Sequence, residues 1–223
     1  MRTVVVTGGK RGIGAAIASA FAGENVVALS SAELDVTDEA AVERVLGALE
    51  VDVLVNNAGV SDSAPVLKTT LEQWRTQLDV NATGAFLCTR AVLDGMLRRG
   101  SGRIVNVASV AAHVGARYVA GYTASKHAVL GLTRAVASEV AGTGVTANAV
   151  CPTYVRSPMT ERTIARINRQ TGRDGLSALT ARTALGRLVE PAEVAFAVKF
   201  FAAPEAGAIN GQSLIIDGGD VQQ

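Results

Sequence analysis

The chain has 223 residues, of which 48% are hydrophobic, and its 21 lysines and arginines nearly balance its 20 acidic residues. This length and composition are typical of one globular domain, so we expect a single domain over residues 1–223. The near-neutral charge argues against a nucleic-acid partner, because such proteins usually carry a basic stripe or patch. No apolar run approaches the roughly 18 residues that suggest a membrane span.

The N-terminus and the cysteines bear on cellular location. The first residues run straight into a strand pattern without a long apolar stretch, so we expect a cytoplasmic protein without a secretion signal. Cys88 and Cys151 are far apart and lie among apolar or small residues, and the chain has only two histidines, His113 and His127. This pattern predicts buried free thiols and no metal site.

The first 21 residues read as a strand, a glycine loop and a helix. Residues 3–7 are a β-branched run, and an alanine-rich helix to about Phe21 follows the loop Gly8-Gly9-Lys10-Arg11-Gly12-Ile13-Gly14. Glycines let backbone amides approach a pyrophosphate, and a helix N-terminus favours negative charge. The sequence therefore predicts a dinucleotide site. A helix-capping glycine turn is the alternative, since the spacing departs from the common G-x-G-x-x-G fingerprint.

The second predicted strand, over residues 25–29, ends without the acidic residue that usually binds the ribose of NAD. Ser30 and Ser31 stand there instead, and Lys10 and Arg11 lie in the glycine loop. NADP is therefore favoured over NAD, although Glu33 keeps NAD open. A further strand is predicted over residues 33–36. It leaves no room for the usual crossover of about ten or more residues, so the second crossover is abbreviated.

Polar turns follow two more predicted strands. A helix from the N-cap Asp38 to about residue 49 precedes a buried strand over 51–55, which ends in Asn56-Asn57-Ala58-Gly59. A helical region over about 71–99 contains Asn81, and the strand over 103–107 ends just before Ser109. Ligands of open α/β sheets bind beyond the carboxyl ends of strands, so these turns are predicted to line a cleft. A ligand-free turn and a purely structural Asn81 are the alternatives.

Tyr122 and Lys126 are four residues apart on a predicted helix, so their side chains share one face. A phenol titrates near ~10 and exchanges protons poorly at neutral pH unless a positive charge is near. Lys126 can supply that charge, although the pair also fits an ordinary amphipathic helix. A strand over 145–150 and a polar segment over about 153–188 follow. Long inserts of this kind are often functional, so we predict a substrate lid. A helix from Pro191 and a strand over 212–216 complete the chain.

Taken in order, these motifs resemble the short-chain dehydrogenase/reductase family over essentially the whole chain. They are the glycine loop after Thr7, the turn 56–59, Asn81, Ser109, Tyr122-x-x-x-Lys126, the Pro152 turn and Asp217-Gly218-Gly219. The resemblance implies an α/β Rossmann fold with a doubly wound, seven-stranded parallel sheet. It also implies a homo-oligomer, a tetramer or a dimer.

The resemblance further implies a catalytic tetrad of Asn81, Ser109, Tyr122 and Lys126. Tyr122 would exchange the proton with the substrate, and Ser109 would hydrogen-bond the substrate oxygen. Lys126 would bind the nicotinamide ribose and lower the pKa of Tyr122. Asn81 would hold a water molecule that relays protons. The implied cofactor contacts are Gly8, Lys10, Arg11 (to a 2′-phosphate), Gly12, Ile13, Gly14, Ser30, Asp35, Val36, Asn57, Ala58, Gly59, Tyr122, Lys126, Pro152, Thr153 and Val155. The family usually has glycine where this chain has Thr153, so that loop lacks glycine's backbone freedom.

Three functions stay open at this point. The first is an NADP-dependent reductase of ketones, and Gly186-Arg187-Leu188 before Pro191 is similar to the pattern in 3-oxoacyl-thioester reductases. The second is an NAD-dependent dehydrogenase of a cyclic diol or another secondary alcohol. The third is a dinucleotide-sensing protein that keeps the fold without the chemistry.

Overall fold

A parallel sheet of six strands forms the centre of the structure, a computed structural model that describes residues 1–181 and 183–221. The strands are β1 (Thr3–Thr7), β2 (Asn25–Leu29), β3 (Val53–Asn56), β4 (Gly102–Val107), β5 (Val145–Pro152) and β6 (Ser213–Ile216). Their spatial order is β2-β1-β3-β4-β5-β6, and all neighbours pair in parallel. The strand order therefore reverses between β1 and β3, and ligands of such sheets bind at that point.

Helices cover both faces of the sheet, as the sequence predicted. They are α1 (Gly12–Ala20), α2 (Glu39–Leu46), α3 (Leu71–Leu78), α4 (Gly84–Arg99), α5 (Ala120–Glu139), α6 (Pro158–Thr171), α7 (Gly175–Thr180) and α8 (Pro191–Phe201). One core cluster packs α1 and α8 on one face, and a second packs α2, α4 and α5 on the other. The α/β Rossmann prediction is confirmed. No helix in the described ranges is long and apolar enough to cross a membrane.

Residues 33–36 do not form the strand predicted for them, so the described chain has six strands instead of seven. A parallel strand beside β2 needs a crossover that carries the chain back along the sheet, and the three residues after β2 are too few. Leu34 and Val36 are nevertheless buried and pack in the core beneath α2 and α4. The apolar residues that predicted a strand therefore belong to a buried segment without regular secondary structure. As a result, β2 is an edge strand of the sheet.

Two helical predictions are refined by the structure. α2 begins as predicted, because Asp38 Oδ1 accepts a hydrogen bond from Ala41 N at 3.0 Å, but it ends at Leu46. The region over 71–99 is interrupted by a π-helical turn, Asp79–Thr83, between α3 and α4. Such turns are rare and frequent at functional sites, and this one contains Asn81.

The predicted lid over 153–188 contains α6 and α7, which is more helix than the sequence suggested. Arg182 in this segment, and Gln222 and Gln223 at the end of the predicted domain, lie outside the described residues. Both cysteines are buried free thiols, as predicted.

Candidate active site

The glycine loop between β1 and α1 is locked to the turn after β3. Asn57 Nδ2 donates to Thr7 O at 2.9 Å and to Gly8 O at 3.1 Å, and Thr7 Oγ1 accepts the backbone N–H groups of Asn57 and Ala58. A Cβ at Gly14 would lie 2.2 Å from Gly8 O, so only glycine fits there. The side chain of Asn57 therefore shapes the loop through protein contacts. Thr7 was not among the predicted site residues, although its place at the end of β1 was a signal.

Two helix N-termini meet at this loop. Arg11 is the N-cap of α1 and makes no side-chain capping hydrogen bond, while Gly12 opens the helix with φ of 52°. A Cβ at Gly12 would lie 3.3 Å from Pro158 Cδ and 3.5 Å from Ser157 Cβ at the start of α6. Ser157 Oγ caps α6 by accepting from Thr160 N, whereas the start of α1 has no side-chain cap. An uncapped helix N-terminus binds phosphate groups, so the start of α1 fits the pyrophosphate of a dinucleotide. The sequence prediction missed Ser157, although Ser-Pro is a typical helix start.

A carboxylate reaches the end of β2, the possibility that Glu33 kept open in the sequence. The chain turns back after Leu29, so that Glu33 Oε2 accepts hydrogen bonds from Ser30 N at 2.9 Å and from Ser30 Oγ at 2.7 Å. Lys10 of the glycine loop forms an ion pair with the other oxygen. The ion pair with Lys10, followed by the hydrogen bonds from Ser30, lowers the pKa of Glu33 to about 2. The group is thus ionised at every physiological pH.

The predicted adenine contacts lie beyond this turn. Asp35 is exposed, and its Oδ1 accepts hydrogen bonds from Thr37 N at 2.9 Å and Thr37 Oγ1 at 2.7 Å. Val36 is buried against the start of α4, where a Cβ at Gly84 would lie 2.6 Å from Val36 Cγ2. Val36 therefore packs the segment against the core, and a contact with adenine stays a prediction for both residues.

Ser109, Tyr122 and Lys126 meet beyond the carboxyl ends of β4 and β5. Ser109 is buried, and its Oγ accepts from Ala111 N at 3.1 Å and lies 3.4 Å from Pro152 O. Burial raises the pKa of Tyr122, and a hydrogen bond with Ser109 acts in the opposite direction. Tyr122 is therefore a neutral phenol at neutral pH, which is the form that can donate a proton.

Lys126 is buried beside this phenol. Its Nζ donates to Val107 O at 2.8 Å and lies 5.6 Å from the centre of the Tyr122 ring. Desolvation lowers the pKa of Lys126 to about 8. The expected lowering of the Tyr122 pKa by Lys126 is not found, because burial of the phenol dominates and the ammonium group faces the Val107 carbonyl.

Asn81 braces the loop that follows β3. Its Oδ1 accepts from Val60 N at 2.8 Å, and its Nδ2 donates to Val60 O and to Ser125 Oγ, both at 2.9 Å. A Cβ at Gly59 would lie 3.1 Å from Asn81 Oδ1 and 3.7 Å from Lys126 Nζ, so these groups crowd around one point. The amide of Asn81 is committed to protein partners, and its part in a proton relay stays a prediction.

The loop after β5 keeps its shape without glycine. Thr153 N donates a hydrogen bond to Ile216 O at 3.1 Å. Thr153 does not adopt a positive φ, because within residues 1–181 and 183–221 the one non-glycine residue with a positive φ is Tyr118. Pro152 and Val155 are buried, and Val155 pairs with Val189. Tyr154, which the sequence prediction did not include, acts electrostatically to raise the pKa of Tyr122.

These features are those expected of a dinucleotide-binding oxidoreductase site: a glycine loop and an uncapped helix N-terminus at the β1–α1 turn, and a phenol with a serine hydroxyl and an ammonium group beside it. The residues present fit a nicotinamide dinucleotide, which supplies the hydride when bound. The protein groups position the reactants and donate or accept the proton.

Comparison with known proteins agrees with this class. A family model described as enoyl-(acyl carrier protein) reductase matches residues 23–220. The 3-oxoacyl-(acyl-carrier-protein) reductase FabG of Vibrio cholerae is 35% identical, covering 98% of this chain and 96% of its own length. The acetoacetyl-CoA reductase of Shinella zoogloeoides is 37% identical, covering 98% of both chains. A variant of actinorhodin polyketide ketoreductase, solved with NADPH, has a TM-score of 0.90 at 33% identity and covers 98% of this chain and 96% of its own.

The chain belongs to the short-chain dehydrogenase/reductase family. It is an NAD(P)-dependent oxidoreductase that transfers a hydride between the dinucleotide and a ketone or secondary alcohol.

Proposed function

We propose that the protein reduces a ketone to a secondary alcohol with NADPH, and that 3-oxoacyl thioesters are its substrate class. The observation that carries the proposal is the placement of the partly buried phenol of Tyr122 beside the buried side chains of Ser109 and Lys126, whose Nζ lies 5.6 Å from the centre of the Tyr122 ring. Reduction needs a proton donor at the carbonyl oxygen, and a phenol carries its proton at neutral pH. The named activities of the relatives, on 3-oxoacyl and acetoacetyl thioesters, support the substrate class.

In this mechanism each member of the tetrad has a separate task. Tyr122 donates its proton to the carbonyl oxygen, and Ser109 donates a hydrogen bond to the same oxygen as negative charge develops there. Lys126 would hydrogen-bond the ribose next to the nicotinamide, and Asn81 holds the loop that carries Val60. The glycine loop and the uncapped start of α1 at Gly12 would hold the pyrophosphate.

The direct test is NADPH oxidation with acetoacetyl-CoA, with neutral ketones and with ketones that bear sugar-like hydroxyls, followed by absorbance of the reduced cofactor. We expect the highest kcat/KM with the thioester. Faster oxidation of cyclic diols with NAD would instead favour the alcohol dehydrogenase. Cofactor binding without turnover of any carbonyl or alcohol would favour a dinucleotide sensor.

The preference for NADP rests on Lys10 and Arg11, and we propose that Glu33 weakens it. A 2′-phosphate beside the end of β2 would compete with Glu33 for Lys10 and would be repelled by the carboxylate. Changing Glu33 to glutamine is therefore expected to tighten NADPH binding about fivefold and to leave NADH binding within about twofold. Titration followed by protein fluorescence measures both affinities.

Glu205→Gln is the matched control, because it removes the same charge from an exposed site in another part of the chain. Its affinities should equal those of the wild type. Weaker NADH binding in Glu33→Gln, with NADPH binding unchanged, would mean that Glu33 binds the ribose hydroxyls of NAD and that the preference for NADP is wrong.

We also propose a cytoplasmic homo-oligomer of a single-domain subunit whose lid is residues 153–188. Large apolar side chains on α8 and on the edge strand β6 support association: Phe196 is 76% exposed, Phe200 47% and Leu214 41%. Light scattering at micromolar concentration tests the oligomer, and a monomer there would contradict it.

A further inference from the structure

Positive charge is concentrated in the predicted lid. Residues 153–188 contain seven arginines and two acidic residues, a net charge of +5, whereas the whole chain carries +1. The remainder of the chain is therefore negative. Such an imbalance in the segment beside the cleft would attract an anionic ligand to the cleft entrance.

Three of these arginines share one face of α6. Arg162, Arg166 and Arg169 follow one another at spacings of four and three residues, which puts them on one side of a helix. Ile164 and Ile167 fall on the opposite side and are partly buried. The basic face of α6 thus lies opposite the apolar side of the helix, and of its three arginines only Arg166 is partly buried.

Arg166 fixes this face next to the cleft. Its Nη2 lies 3.1 Å from Asp62 Oδ1, and its Nη1 donates to Ser63 O at 3.0 Å. Asp62 is held in turn by Ser63 N and by Gln73 Nε2, each at 2.8 Å. Asp62 and Ser63 follow the loop that Asn81 braces beside Lys126, so Arg166 ties the lid to the rim of the catalytic site.

Arg162 and Arg169 lie about one helical turn to either side of Arg166 and are exposed. Neither forms an ion pair with any described residue, and the same holds for Arg173 just beyond Gly172. Arg162 and Arg169 are separated by about 10 Å along the helix axis. Two uncommitted guanidinium groups at that distance can each bind a separate phosphate in a bidentate manner.

We infer that Arg162 and Arg169 form a binding site for the phosphates of a coenzyme A thioester whose ketone lies at Tyr122. This inference rests on the proposed ketone reduction and identifies the group that carries the acyl chain. Phosphorylated pantetheine occurs both in coenzyme A and on carrier proteins. Coenzyme A is the better match, because it holds phosphates at two separated places on one molecule and the site offers two separated arginines.

The test compares two thioesters with the same acetoacetyl group, one on coenzyme A and one on N-acetylcysteamine, which has no phosphate. For the wild type we expect kcat/KM to be about tenfold higher with the coenzyme A thioester, and this advantage to shrink as salt rises from about 50 to about 300 mM. The double variant Arg162→Gln/Arg169→Gln should lose about tenfold with the coenzyme A thioester and stay within about twofold with the neutral one.

The double variant Arg44→Gln/Lys199→Gln is the control, because it removes two exposed positive charges from α2 and α8. It should behave as the wild type with both thioesters. A third substrate, the acetoacetyl thioester of a phosphopantetheinylated carrier protein, distinguishes the sources. A loss confined to the carrier-protein thioester would overturn the assignment to coenzyme A.

A second measurement does not depend on turnover: calorimetry gives the affinity of free coenzyme A for the NADPH-loaded protein. We expect binding that the arginine double variant weakens about tenfold. If neutral and coenzyme A thioesters are reduced equally well, the arginine site is wrong and the ketone reductase stands. If no ketone is reduced, the proposed function fails, and absence of coenzyme A binding would then overturn the arginine site as well.

Discussion

The Tyr122→Phe variant is expected to reduce carbonyl substrates about 10³- to 10⁴-fold more slowly than the wild type, with NADPH affinity within about twofold. The substitution removes one hydroxyl and keeps the ring that packs beside Lys126 and Ser109. Burial holds the pKa of this phenol above its ordinary value, so the wild-type group carries its proton throughout the neutral range. Loss of the hydroxyl leaves the carbonyl oxygen without its proton donor.

Steady-state kinetics and fluorescence titration of NADPH on the same preparation separate the two effects. Tyr118→Phe is the matched control, because Tyr118 carries an exposed phenol four residues earlier and the substitution leaves the backbone unchanged. It should retain wild-type turnover. Normal turnover in Tyr122→Phe would show that another group supplies the proton, and Tyr154 would be the first to test.

The sheet and the meeting of Ser109, Tyr122 and Lys126 could be predicted because both depend on the order of residues along the chain. Ser109 follows a buried strand and Tyr122 and Lys126 are one helical turn apart, so topology alone brings them to one edge of the sheet. The predicted strand over 33–36 failed for a physical reason. Alternation of apolar residues predicts burial, and Leu34 and Val36 are indeed buried. A parallel strand must also hydrogen-bond to a neighbouring strand, and that requires a crossover that this chain lacks.

The sequence kept Glu33 open as a cofactor-pocket residue, but its contacts with Ser30 and Lys10 could not be predicted, because they depend on a backbone turn after β2. The turn brings a carboxylate from three residues further along the chain back to Ser30 and into contact with Lys10. The spacing of a motif predicts where a residue lies along a helix or strand. It does not predict which residues a loop brings into contact. The pKa values of Tyr122 and Lys126 escaped prediction for a related reason, since spacing gives their proximity and only packing gives their desolvation.

Lys126→Met is expected to abolish most activity and to make the protein more stable at pH 7. The folded-state pKa of Lys126 is about 8, against 10.5 for the free side chain, because burial penalises the ammonium form. Below pH 8 the group is charged in both states, and burying the charge costs about 3 kcal/mol of folding free energy. Methionine removes that cost but leaves Val107 O without its donor, which costs about 1 to 2 kcal/mol.

The net gain of about 1 to 2 kcal/mol corresponds to a rise in Tm of about 2 to 8 °C for a chain of this size. The sign of the pH dependence follows from the two pKa values. Between pH 8 and 10.5 the unfolded state binds more protons than the folded state, so the wild type gains stability as pH rises and the advantage of the variant shrinks. Calorimetry at pH 7 and near pH 10 measures the Tm of both proteins and so tests this change. The control is Lys68→Met, which replaces an exposed lysine and should leave Tm within about 1 °C of the wild type at both pH values.

Turnover of the same variant should fall about 10²- to 10³-fold, and NADPH binding should weaken, because the variant lacks the ammonium group that would hydrogen-bond the ribose. A variant that is more stable and less active would mean that Lys126 is kept for chemistry at a cost to folding. A variant that is less stable at pH 7, by an amount that does not change with pH, would mean that the bond to Val107 O outweighs the burial of the charge. Lys126 would then be a structural brace for β4 and α5.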